Sequence, residues 1–153
     1  MLGGAVVTVK SGGPGLCSID RIPLKPNHRI VSGCFGPIAT KTVLASQNLR
    51  RRVNRFGRRT LDEILEETSI QNFMTSCKRF AVDVGLMSSR VRKLIDAMER
   101  AGAIGATQNM VGEAAHSVVE EDRVKKVVEA AGRLISRKNI FVANIEFTGA
   151  RLI

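Results

Sequence analysis

The sequence has no tryptophan, no tyrosine and only 6 phenylalanines in 153 residues. A nucleic-acid-binding face that stacks bases needs exposed aromatic side chains, so this composition counts against such a face. The cysteines, Cys17, Cys34 and Cys77, lie far apart without a CxxC pair, and neither His28 nor His116 has a neighbouring ligand pattern. We therefore predict no metal site, no disulfide framework and a reducing compartment.

Long apolar runs are also missing. No stretch approaches the roughly 18 apolar residues of a membrane span. Residues 1–10 lack the basic region and apolar core of a secretory signal. These absences predict a soluble, cytoplasmic protein. With 44% hydrophobic and 25% charged residues, the chain has the composition of a globular domain.

Negative charge is scarce, since the sequence has 14 Asp and Glu residues against 24 Lys and Arg residues, for a net charge of +10. A basic surface favours nucleic acid, a nucleotide, a small carboxylate or an anionic membrane. The densest basic run consists of six arginines: Arg50, Arg51, Arg52, Arg55, Arg58 and Arg59. This run fits a phosphate-binding surface, a solvated helix face or a contact with another domain or subunit, and the sequence leaves the three open.

Apolar segments bounded by glycine and proline predict strands. They are residues 5–9, 29–35, 104–111, 114–119 and 140–147, with an irregular extended segment at 19–24. Gly112 and Glu113 are predicted to form the turn of a hairpin. Glu113 has no second acidic residue near it to form a catalytic pair, and His116, flanked by apolar strand residues, is interpreted as structural.

Apolar residues at steps of three and four predict helices between these strands. One helix begins at Thr40 or Lys41 and ends near Gly57, and a second begins with a capping box of Thr60 and Glu63. The clearest covers residues 70–84 and ends at Gly85. Two more follow: one is capped by Ser88 or Ser89 and closed by Gly102, and the other covers residues 124–135.

From residue 29 onward the element order is strand, helices, two strands, helix, strand. This order is typical of a ferredoxin-like α+β domain, with an antiparallel sheet and helices packed on one face. We predict a single domain over residues 1–153, because no repeat or linker divides the chain.

Two loops are candidates for chemistry. Residues 33–42 join a strand to a helix, where free backbone N–H groups, Lys41 and the hydroxyl of Thr40 suit an anion. Its spacing is not that of a P-loop, and the pattern alone favours a tight turn with a helix cap. Residues 105–112 offer small residues that let a ligand approach, with Gln108 and Asn109 beside them, or else form a plain hairpin. The acidic residues, Ser and His suggest no catalytic pair or triad, so catalytic residues stay unknown.

Several short motifs together resemble one family. They are Gly3-Gly4, Gly13-Pro14, Gly36-Pro37-Ile38 with Thr40-Lys41, Phe73-Met74, Gly85-Leu86-Met87, Gly102-Ala103, Met110-Val111-Gly112-Glu113 and Gly149-Ala150-Arg151-Leu152. In this order and spacing, the chain resembles the C-terminal half of the archaeal pantoate kinase family, within the GHMP kinase superfamily.

The resemblance implies one domain of an ATP-dependent small-molecule kinase that phosphorylates pantoate to 4-phosphopantoate in archaeal coenzyme A biosynthesis. It implies ATP and Mg²⁺, held mostly by an N-terminal domain, and a ferredoxin-like C-terminal domain. The superfamily's third motif corresponds to the loop with Gly105, Asn109 and Gly112, part of the wall around the phosphates, although the usual glycine run is lacking here. On this hypothesis Thr40, Lys41 and Arg90 bind the anionic substrate.

The superfamily's Pro-x-x-x-Gly-Leu-Gly-Ser-Ser-Ala-like ATP loop has no counterpart in this sequence. We therefore expect that this chain lacks the N-terminal ATP-loop domain and that such a domain is its partner. We also expect the isolated chain to be inactive. A homodimer is left open, and neither a membrane nor nucleic acid is an expected partner. The alternative hypotheses are a basic nucleic-acid-binding module and a ferredoxin-like regulatory domain that binds a small effector.

Overall fold

The computed structural model describes residues 5–8, 19–36, 46–109 and 112–147. Its strands are β1 (Ala5–Thr8), β2 (Ile19–Ile22), β3 (His28–Gly36), β4 (Gly105–Gln108), β5 (Glu113–Glu120) and β6 (Ile140–Asn144). Its helices are α1 (Gln47–Glu66), α2 (Ile70–Val84), α3 (Ser89–Arg100) and α4 (Val124–Gly132), with short 3-10 turns at Glu121–Arg123 and Arg137–Asn139. None of the helices in these ranges is long and apolar enough to cross a membrane.

Four strands form one antiparallel sheet in the order β4-β5-β3-β6. The helices between β3 and β4 cross over β5, and α4 crosses over β3 to reach β6. The predicted ferredoxin-like α+β class is therefore confirmed. The predicted irregular segment at 19–24 contains β2, which pairs with β1 in a separate ladder from Ala5 and Ile22 to Thr8 and Ile19.

Helices α3 and α4 cover one face of the sheet. Side chains at three- and four-residue spacing on α3, such as Leu94 and Met98, are fully buried against Val31 of β3 and Val119 of β5. Alternation along the strands sends these strand residues to the same side. This layer is the larger of the two cores and includes Val127 of α4.

The second face of the sheet packs against α2 at its β4 and β5 edge. Gly105 lies opposite Val118 in the strand register. The next residue, Ala106, belongs to the core under α3 and α4. Gly105 therefore faces the other side, where Val118 packs with Met74 and Ile70 of α2. The element order gave no indication of this second layer.

The predicted helix break between Gly57 and Thr60 is wrong, because α1 is continuous from Gln47 to Glu66. A glycine inside a helix costs only about 1 kcal/mol relative to alanine, less than ending one helix and nucleating another. A Cβ at residue 57 would lie 3.7 Å from the ring of Phe80, so α1 packs against α2 at this point. The predicted helix start at Thr40 or Lys41 lies outside the described residues, and Ser46 caps α1 through its Oγ, which accepts a 3.3 Å hydrogen bond from the amide of Leu49.

The predicted boundaries of α2 and α3 are confirmed. Gly85 ends α2 in the left-handed region, with φ of 77°. The Oγ of Ser88 accepts a hydrogen bond from the amide of Val91 at 3.3 Å and caps α3. The predicted strand at 104–111 is shorter, because β4 ends at Gln108.

Candidate functional site

Four elements meet at one end of the four-stranded sheet. Strand β3 ends at Gly36, which pairs with Glu113 at the start of β5. Strand β4 ends beside them at Gln108, and Arg90, the second residue of α3, forms an ion pair with Glu113. We call this region the sheet end, meaning Phe35, Arg90, Gln108, Asn109, Gly112 and Glu113. Phe35 is more than 70 residues from the hairpin and Arg90 is 23 residues from Glu113, so the folded sheet brings them together.

Arg90, a predicted substrate contact, lies at the sheet end in a fixed position. Its guanidinium forms an ion pair with the carboxylate of Glu113 and lies 5.1 Å from the ring centroid of Phe35. The side chain of Arg90 is 55% exposed, whereas that of Glu113 is 16% exposed. Since a guanidinium carries five N–H donors, Arg90 keeps donors for an incoming anion while Glu113 orients it.

Gln108 ties the hairpin to the segment between α2 and α3. Its Nε2 donates to the carbonyl of Leu86 at 3.2 Å and to that of Gly112 at 3.4 Å. Its Oε1 is buried and has no partner among the described residues. The amide therefore fixes the position of the β4–β5 turn relative to α3.

Asn109 and Gly112, both predicted to line the phosphate wall, flank the hairpin turn. Gly112 is buried, but a Cβ on it would meet no described atom within 4 Å, so contacts with the described residues do not demand a glycine there. The side chain of Asn109 is exposed, and its Oδ1 contacts Nδ1 of His116. Burial lowers the pKa of His116, so its ring is neutral at pH 7. With Oδ1 of Asn109 as the acceptor in this contact, the proton lies on Nδ1 and Nε2 is left as an acceptor.

Gly105 was predicted to belong to the same loop, but it lies within β4, away from the turn. A Cβ at this position would be 2.5 Å from Cβ of Met74. Close packing of β4 against α2 therefore accounts for this glycine.

Thr40 and Lys41 fall in residues 37–45, outside the described residues, so their substrate role stays a prediction. They follow Gly36, the last residue of β3, by four and five positions.

The six arginines of the basic run are exposed residues of α1. Arg52 donates to the carbonyl of Asp83 at 2.6 Å, and Arg59 pairs with Glu63 at 3.0 Å. The run therefore combines a solvated face with one contact to the end of α2.

Comparison with known proteins adds independent findings. The chain is 25% identical over 130 residues to pantoate kinase of Methanocaldococcus jannaschii, covering 85% of this chain and 45% of that protein. It is 23% identical over 140 residues to pantoate kinase of Thermococcus kodakarensis, covering 92% of this chain and 45% of that protein. The chain is homologous to archaeal pantoate kinases. The predicted resemblance is thus confirmed, and the chain spans less than half the length of these relatives.

Solved structures support the fold. A phosphotransferase related to the CoA biosynthesis pathway superposes with a TM-score of 0.79 at 21% identity, over 95% of this chain and 46% of that one. MDDEF in complex with MVAPP, AMPPCP and magnesium superposes with a TM-score of 0.68 at 10% identity, over 95% of this chain and 53% of that one. This chain shares the fold of these solved structures. No protein-family model matches the sequence.

Sequence reasoning missed the partners of Arg90. It placed Glu113 alone in a turn, whereas in the folded chain Glu113 pairs with Arg90, whose guanidinium also lies against the ring of Phe35. The three residues lie at a strand end, a turn and a helix start. The local sequence around each gives no indication that they come together in the fold.

Proposed function

We propose that the chain is the C-terminal, substrate-side domain of an ATP-dependent kinase that phosphorylates pantoate to 4-phosphopantoate in archaeal coenzyme A biosynthesis. The observation that carries the proposal is the similarity to two archaeal pantoate kinases over 85% and 92% of the chain. Since the chain covers 45% of each of those proteins, we assign the remaining functions to an N-terminal domain.

The sheet end supplies the substrate-binding part of this proposal. Arg90 is a half-exposed cation held in place by Glu113 and Phe35, as the binding of a small carboxylate requires. A pre-oriented guanidinium loses little side-chain freedom on binding, so the anion can be positioned accurately for transfer. Thr40 and Lys41, which follow β3 in sequence, are proposed to complete the anion site.

ATP and Mg²⁺ are assigned to the N-terminal domain. Among the described residues, no group of three His, Cys, Asp or Glu side chains could hold a metal ion. Mg²⁺ bound by the other domain would offset charge on the transferred phosphoryl group, while this chain binds and orients the acceptor.

The test is an assay of this chain joined to the coding region directly upstream of it. We expect ADP release that requires pantoate, with 4-phosphopantoate visible by ³¹P NMR, and no turnover by the chain alone. Mevalonate and homoserine serve as control acceptors. Phosphorylation of one of them instead of pantoate would reject the substrate but keep the kinase, and ATP binding without any acceptor phosphorylation would reject both.

Nucleic-acid binding is the second candidate, supported by the net charge of +10 and the exposed arginines of α1. It predicts RNA or DNA affinity that falls steeply with salt and is lost when Arg50, Arg51 and Arg58 are replaced by Gln. Pantoate turnover that is unchanged in this triple variant would favour the kinase.

A further inference from the structure

A cavity of about 380 Å³ lies between α2 and the β4–β5 hairpin, on the second face of the sheet. Its apolar wall comes from α2 and its polar end from the sheet. The side chains that matter here are Phe73, Cys77, Phe80, Ala81, Thr107 and His116. This volume is within the range of small-molecule sites in proteins.

The polar end of the cavity contains an unsatisfied hydroxyl. Thr107 is 3% exposed, and its Oγ1 has no hydrogen-bond partner among the described residues. A buried hydroxyl without a partner is costly, and such groups in native proteins call for an explanation. Thr107 lies directly opposite His116 in the strand register, so the hydroxyl and the imidazole are neighbours on one face.

The ionisable groups in the lining are uncharged near neutral pH. Burial raises the pKa of Cys77 to about 11 and lowers that of His116. The rest of the lining contains no Lys, Arg, Asp or Glu side chain. An ionised ligand would lose its hydration without gaining a counter-charge, so the cavity excludes one.

We propose that this cavity binds an uncharged, compact aliphatic alcohol, or the hydroxyl-bearing end of a larger molecule. The apolar body lies against Phe73 and Phe80, and the ligand hydroxyl accepts a hydrogen bond from Thr107 Oγ1 and donates one to Nε2 of His116. The proposal rests on the cavity alone and does not depend on the kinase function.

The probe is 2,2-dimethylpropan-1-ol, whose branching leaves few rotors to restrict on binding. Titration of the ¹⁵N-labelled chain at pH 7 should give saturable shifts of the amides of Ala81, Thr107 and His116, with a Kd of about 1 mM for roughly six non-hydrogen atoms. The carboxylate of the same shape, 2,2-dimethylpropanoate, should give no saturable shifts at these residues.

Two variants locate the site. Thr107→Val keeps the side-chain shape and removes the hydroxyl, and it should weaken binding about threefold to tenfold. Ala81→Leu fills the cavity and should abolish binding. Thr75→Val is the matched control, because Thr75 lies on α2 outside this cavity and should leave the Kd unchanged.

The proposal is overturned if the alcohol causes no saturable shifts, if the carboxylate binds equally well, or if Thr107→Val and Thr75→Val behave alike. Far-ultraviolet circular dichroism of each variant shows whether it is folded. If Ala81→Leu does not fold, the comparison of the two threonine variants decides the question.

Discussion

Gly105 of β4 lies against Met74 of α2 so closely that a Cβ on residue 105 would be 2.5 Å from Cβ of Met74. Met74 is 1% exposed and its Cα would be only 3.9 Å from the added atom, so neither the side chain nor the helix has room to move. We predict that Gly105→Ala lowers the free energy of unfolding by about 1–3 kcal/mol, measured by urea denaturation.

Gly132→Ala is the control for this prediction. At the end of α4, a Cβ on residue 132 would meet only Cδ1 of Ile140, at 3.9 Å, which is ordinary contact. Alanine there should be neutral or stabilise the chain by up to about 1 kcal/mol. Equal effects of the two substitutions would show that the α2–β4 contact is not as tight as described.

The element order from residue 29 onward could be predicted from the sequence because it depends on local signals, and the ferredoxin-like class followed from that order. The apolar spacing of α2 and the capping residues Gly85 and Ser88 act over three or four positions. The break at Gly57 and Thr60 was predicted wrongly for the same reason. Local propensity favours a break there, and packing against Phe80, which decides the outcome, lies more than 20 residues away.

The candidate site was harder to predict, since it depends on distant contacts. A glycine in a sequence of small residues suggests a ligand loop, but Gly105 is explained by Met74, 31 positions earlier. Arg90 was predicted from its place at a helix start, yet Glu113 and Phe35, which orient it, could not be assigned to it. The cavity at Thr107 follows from α2 covering the second face, which nothing in the element order indicated.

Lys78 and Glu99 form a partly buried link between α2 and α3. Lys78 Nζ lies 2.8 Å from both carboxylate oxygens of Glu99, and Glu99 Oε1 also accepts a 3.4 Å hydrogen bond from the amide of Ala106 on β4. Glu99→Ala removes both interactions. Because each side chain is about 30% exposed, we expect a discounted loss of about 1–2 kcal/mol in urea denaturation.

A double-mutant cycle with Lys78→Met separates the ion pair from the amide contact. The Lys78 variant should lose less stability than Glu99→Ala, because the carboxylate still accepts from Ala106. Asp96→Asn on the same helix is the control and should change stability by less than about 0.5 kcal/mol. A loss as large in Asp96→Asn would indicate a general effect of negative charge on α3.

On the proposed function, Arg90→Met should raise the KM for pantoate about tenfold or more when the chain is joined to its N-terminal domain, with little change in the KM for ATP. The physical reason is the loss of the half-exposed cation that Glu113 and Phe35 orient. Arg92→Met removes an exposed arginine two positions away and should leave both values unchanged. If both variants raise the KM equally, general surface charge is responsible and Arg90 is not a substrate contact.

Both histidines of the sequence make stability depend on pH. Burial lowers the pKa of His28 and of His116 below the ordinary 6.5, and the charge of Lys25 lowers that of His28 further. The unfolded chain therefore takes up protons that the folded chain resists. The free energy of unfolding should be greatest above about pH 7.5 and fall as the pH drops through 6.5 toward the folded-state pKa values.

The measurement is urea denaturation of the parent chain and of the double variant His28→Gln, His116→Gln between about pH 5.5 and 8, where carboxylates stay ionised. The variant should be less stable at high pH, because His28 Nδ1 accepts a 3.2 Å hydrogen bond from the amide of Lys25 in the parent. Its stability should nevertheless change little over this range. A slope equal to that of the parent would contradict the assignment to the histidines.

Cys77 should be nearly inert toward alkylation in the folded chain. Burial raises the pKa of its thiol from 9.0 to about 11, and the thiolate is the reactive form. At pH 8 the thiolate fraction is therefore about a hundredfold lower than in the unfolded chain. Iodoacetamide labelling followed by peptide mass spectrometry measures the rate, with the same residue in 8 M urea as its own control. A native rate within about tenfold of the unfolded rate would mean that water reaches the thiol, and the cavity wall formed by Phe73, Cys77 and Phe80 would then be hydrated rather than apolar.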